Sequence, residues 1–152
     1  MKENSSLIVP PNARAKSGQL LLMLADDILD AVNKALEAYH TSESKLSLLL
    51  LFVATSNQNH SLQPSEIAEK LGIRRASVTK QLIWLEEHHF IAREISSEDQ
   101  RMVNVTITAE GYQLLDQVMP HYWQACAELT NGLTEKETML LFSLLKKIHC
   151  HH

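Results

Sequence analysis

The most constraining stretch of the chain is residues 62–111, LQPSEIAEKLGIRRASVTKQLIWLEEHHFIAREISSEDQRMVNVTITAEG. Pro64 suits the first position of a helix, where its missing N–H costs nothing, and Glu66 favours the positive end of the helix dipole. Ile67, Ala68 and Leu71 turn inward, and Gly72 stops the helix because glycine alone takes a left-handed backbone cheaply. A three-residue turn beginning at Ile73 leads to a second helix, from about Arg75 to His88. Its Val78, Leu82 and Leu85 recur at i, i+4 and i+7 as a core stripe. That stripe sends Arg75, Ser77, Thr79, Lys80 and Gln81 outward near the N-terminal half. Phe90–Ile95 and Met102–Ile107 then alternate as strands do, with SSEDQR as the tip between them.

Two helices, a tight turn and a charged-tip hairpin form the plan of a winged helix-turn-helix, which presents its second helix to a DNA major groove. The net charge of −4 seems to oppose a polyanionic partner, but the average hides the arrangement. Residues 62–107 carry six Lys/Arg against seven Asp/Glu, yet Arg74, Arg75 and Lys80 fall within seven residues that contain no acid. Phosphate binding depends on the field within about 8–10 Å, so a locally basic helix end suffices.

The flanks supply helices. After a loose arm over residues 1–16, Ser17 offers an N-cap for a helix over residues 17–40, whose Leu20, Leu24, Ile28, Val32 or Ala31, Ala35 and Tyr39 form an apolar stripe. Thr41 or Ser42 caps a second helix, apolar on nearly every side from Leu46 to Val53 and therefore the expected centre of the core. Thr108 to Gly111 begin a long helix that Pro120 is expected to kink or divide and Gly132 to end. Thr134 and Glu137 form a capping box for a last helix, whose Met139, Leu140, Phe142, Leu144, Leu145 and Ile148 demand a partner surface. The 152 residues suit one folding unit, mainly α with a small β-hairpin wing. The apolar run at residues 46–55 is about half the length of a bilayer span and the N-terminus lacks a signal-peptide pattern, so a cytoplasmic protein is expected.

Through PSEIAEKLG, SVTKQLIWLE, SEDQR and ITAEG, residues 17–148 resemble the MarR family of bacterial transcriptional regulators. The resemblance implies a single domain over 1–152, with residues 17–61 and 108–150 as core and dimerisation helices and residues 62–107 as the winged helix-turn-helix. It implies a homodimeric regulator, a repressor in the usual case, that binds a pseudo-palindrome in double-stranded DNA and responds to a small aromatic effector. Ser77, Lys80 and Gln81 would read or approach bases, joined by Arg74, Arg75 and Thr79. Asp99 and Arg101 match the wing motif, the aspartate orienting an arginine that enters the minor groove. Three positions depart from the family pattern. Arg74 stands in place of a Ser or Thr N-cap, His89 in place of a glycine, and Trp84 at a commonly charged position.

Trp84, Tyr39 and Trp123 are candidates for an effector cleft, against the alternative that Trp84 packs on the following long helix as ordinary core. A metal-responsive regulator is a second alternative: the tail His149-Cys150-His151-His152 could combine with His40, His121, His88 or His89, but matches no known ligand pattern. A third is a winged protein-interaction module without DNA binding. Cys126 and Cys150 suggest neither a disulfide framework nor a zinc site. The four glycines form no phosphate loop and no nucleophile–base pair is evident, so neither catalysis nor a cofactor is expected.

Overall fold

The computed structural model describes residues 10, 12–55, 64–72, 74–95 and 103–150. Six α-helices and a two-stranded hairpin follow one another as α1 (Ala13–Leu36), α2 (Glu43–Thr55), α3 (Pro64–Leu71), α4 (Arg75–Glu87), β1 (Ile91–Ile95), β2 (Val103–Ile107), α5 (Ala109–Glu128) and α6 (Glu135–His149), with a 3₁₀ turn at Glu37–Tyr39.

Helix α1 begins earlier than Ser17. Asn12 caps it, its Oδ1 accepting from Ala15 N at 2.9 Å, while Ser17 lies within the first turns and its hydroxyl donates to Ala13 O. Two strong capping residues compete here, and Ala13–Lys16 are good enough helix formers for the earlier one to prevail. Helix α1 also ends at Leu36 rather than 40, tightening into the 3₁₀ turn before His40, which adopts a left-handed backbone (φ 53°). Helix α2 takes its cap from a distance, Glu43 N donating to Asn33 Oδ1 of α1 at 2.8 Å. Pro120 does not divide α5, which runs unbroken through it. Proline removes one backbone donor, and because Pro120 is exposed, water can reach the carbonyl left without it.

The chain forms two compact units, residues 33–122 and residues 1–32 with 123–152. In the first, α2 packs on α3, α4 and β2, and α3 on α4. Leu36, Leu46, Leu48, Leu49, Ile67, Val78, Leu82, Leu85 and Val118 are almost wholly buried. The hairpin is antiparallel with Ile91 opposite Ile107, Arg93 opposite Val105 and Ile95 opposite Val103. Its root is fastened to α5: Thr108 N donates to Phe90 O, Thr108 Oγ1 to His89 O, and Gly111 N to Thr108 Oγ1. Gly111 is required by space, since a Cβ there would lie 2.2 Å from Phe90 O and 2.8 Å from Ile107 Cγ2.

In the second unit, α6 is closed by its capping box. Thr134 Oγ1 accepts from Glu137 N, and the Glu137 carboxylate accepts from Thr134 N at 2.8 Å. Helix α6 buries no side chain; Met139, Leu140 and Phe142 are each more than 60% exposed. No helix among the described residues is long and apolar enough to cross a membrane.

Candidate nucleic-acid interface

Helix α4 carries the candidate contacts. Val78, Leu82 and Leu85 face the core, and Arg74, Arg75, Thr79 and Lys80 are exposed, with Ser77 half-buried beside them. Arg74 stands at the N-cap with extended backbone (φ −75°, ψ 141°) and makes no side-chain capping bond. Its carbonyl instead accepts from Ser77 N and Val78 N. The start of α4 therefore has positive charge on two adjacent side chains and backbone amides with no side-chain acceptor, the combination that attracts an anion.

Gln81 does not follow the outward pattern expected of it. It is half-buried, and its Oε1 is fully buried without a hydrogen-bond partner. Three residues beyond Val78 and four before Leu85, position 81 flanks the core stripe, so its side chain lies along the edge of the packing. Asp99 and Arg101, with the SSEDQR tip, lie outside the described residues.

Trp84 is half-buried on α4. Lys45 Nζ of α2 sits 3.6 Å from the centre of its ring, and His88 stacks on it at 3.9 Å, with His88 Nδ1 bonded to Trp84 O at 2.8 Å. The cation gains from the indole quadrupole. Burial, and then the ammonium of Lys80, hold Lys45 below the usual lysine range. A cleft of about 490 Å³ lies here, lined by Ser44, Lys45, Ser77, Lys80, Gln81, Ile83, Trp84 and Glu87.

Tyr39 lines a different cleft of about 460 Å³, with His88, His89, Phe90, Glu110, Gln113, Leu114 and Gln117. Its hydroxyl bonds His121 Nε2 at 2.8 Å. Trp123 belongs to the other unit and is 61% exposed. Of the three aromatics expected at an effector cleft, Tyr39 and Trp84 line separate clefts within residues 33–122. His89 has the left-handed backbone (φ 61°) that its replacement of a glycine implies. Among the described residues no three His, Cys, Asp or Glu side chains gather as a metal site; His151 and His152 lie outside them.

Residues 45–103 match the family model described as MarR family. The HTH-type transcriptional repressor YetL of Bacillus subtilis (strain 168) is 30% identical over 135 residues, covering 86% of this chain and 79% of YetL. The chain belongs to the MarR family. The transcriptional repressor MprA of Escherichia coli (strain K12) is 28% identical over 130 residues, 86% of this chain and 73% of MprA. A solved structure of a mutant MarR from Escherichia coli complexed with operator DNA shares the fold, with TM-score 0.72 at 23% identity over 86% of this chain and 91% of that one. This chain is accordingly a MarR-family transcriptional regulator, and α3 and α4 are its helix-turn-helix.

Proposed function

We propose that this MarR-family regulator is a repressor that binds a pseudo-palindromic operator in double-stranded DNA as a homodimer, reading it with α4. The exposed, acid-free basic start of α4 carries this reading, with Arg74, Arg75, Thr79 and Lys80 outward over a firmly packed core stripe. A DNA phosphate at the start of α4 supplies the acceptor that the Arg74 side chain does not. Lys80 and Ser77 approach base edges, and Gln81 stands beside them with its carbonyl oxygen turned inward. Asp99 and Arg101 act at the wing tip, the arginine in the minor groove.

Dimerisation rests on the apolar side chains of α1 and α6. Leu20, Leu22, Met23, Met139, Leu140 and Phe142 are all more than half exposed, too many large apolar side chains for one copy to leave in water. A second copy covers it symmetrically and sets two α4 helices about one DNA turn apart. The Lys45–Trp84 cleft is the better of the two places for a small aromatic effector, since Trp84 and two ammonium groups line it beside the reading helix. The regulator works in the cytoplasm, where its DNA is.

Selection of bound fragments from genomic DNA tests the reading. The expected result is an enriched sequence with two inverted half-sites centred about 10 base pairs apart. Recovery of no enriched sequence would favour a winged protein-interaction module instead.

A further inference from the structure

At about 100° per residue, the face of α4 directly away from Val78, Leu82 and Leu85 is formed by Ala76, Lys80, Ile83 and Glu87, with Thr79 at its flank, and all five are exposed. Ile83 is the unexpected member. Among the described residues of 33–122, every large apolar side chain is buried or half-buried except Ile83 and Tyr112, and Ile83 is 41% exposed. Seen down the helix axis, position 83 falls between Thr79 and Lys80, one turn further on. It therefore lies on the same face as the residues proposed to approach the bases.

In the major groove, apolar surface has one matching feature, the C5-methyl group of thymine; every other group on the base edges is a hydrogen-bond donor or acceptor. We infer that Ile83 is a specificity-determining residue that packs on a thymine methyl in each operator half-site. This rests on α4 being the reading helix. Lys80 supplies charge-assisted contacts that hold the helix in the groove, and Ile83 supplies discrimination that charge alone cannot. A cytosine at that position has only a hydrogen at C5, so the isoleucine loses its apolar partner and the complex is weakened.

The test compares the selected operator with copies in which deoxyuridine replaces each thymidine in turn, which removes the methyl and preserves pairing. Wild type and Ile83→Ala are titrated against the set at fixed salt, after circular dichroism and light scattering show the variant folded with the wild-type mass. One uracil position is expected to weaken wild type by about fourfold per half-site, the value of one buried methyl-sized group, and to leave Ile83→Ala unaffected. Ile83→Val should retain part of the penalty. Indifference of wild type to every uracil, or an equal penalty in Ile83→Ala, would overturn the assignment while leaving α4 as the reading helix. Failure to select any DNA would overturn the DNA-binding reading and this assignment with it.

Discussion

Residues 33–122 hide their apolar side chains, and the unit formed by residues 1–32 and 123–152 displays its own. Of the 17 buried apolar side chains among the described residues, all but Val32 and Ala125 are in the first unit, and of the 16 large exposed ones all but Ile83 and Tyr112 are in the second. A unit that closes its own core can hold a rigid reading helix. A unit that leaves leucines, methionines and a phenylalanine in water is complete only when something covers them. On the function proposed above, DNA contact belongs to the first and assembly to the second.

The strongest way to break this comparison is to make the exposed face polar. Leu140→Glu with Leu144→Glu changes two exposed positions one turn apart on α6, where no side chain is buried, so the chain should fold. We expect a monomer by light scattering and an operator affinity reduced by about 10²–10⁴, the avidity lost when two reading heads are no longer linked. A dimer with unchanged affinity would move assembly elsewhere.

The converse change strikes the closed unit. Gly111→Ala drives a methyl into Phe90 O and Ile107 Cγ2 where the wing root meets α5, and should destabilise by about 1–3 kcal/mol through overpacking. Thermal unfolding followed by circular dichroism measures it; a melting temperature equal to wild type would show that the root yields freely. A smaller gain is expected from His89→Gly, which removes the left-handed strain at φ 61° and should stabilise by about 0.5–1 kcal/mol after the added flexibility of the unfolded chain is counted. A loss of stability there would mean that the imidazole makes a contact worth more than the strain.

The smallest effect belongs to the α6 cap. Hydrogen bonds from the Thr134 backbone and side chain hold Glu137 below the usual carboxylate range. A depressed folded pKa contributes stability above the unfolded carboxylate value and loses it as pH falls through the folded one. Thr134→Ala should therefore lower the melting temperature more at pH 7 than at pH 2, and an equal loss at both would remove Glu137 from the cap.

Local signals were legible in the sequence wherever the cause lay within a few residues. The capping box at Thr134, the stop at Gly72, the core stripe of α4 and the two strands of the hairpin all follow from spacing. What sequence spacing did not supply depends on neighbours distant along the chain. The Asn33 cap on α2 is ten residues from the amide it satisfies, and Lys45 reaches Trp84 only because α2 packs on α4. Gln81 shares the polar character of its neighbours, and only packing shows its carbonyl turned inward. Ile83 is hidden for the opposite reason, because an isoleucine on a helix ordinarily belongs to the core and only the folded structure shows this one exposed.

If one unit reads DNA and the other pairs the readers, sedimentation should find a dimer for the protein alone and two chains on its selected operator, with affinity collapsing when one half-site is scrambled. A monomer that binds a single half-site as tightly as the pair would contradict it.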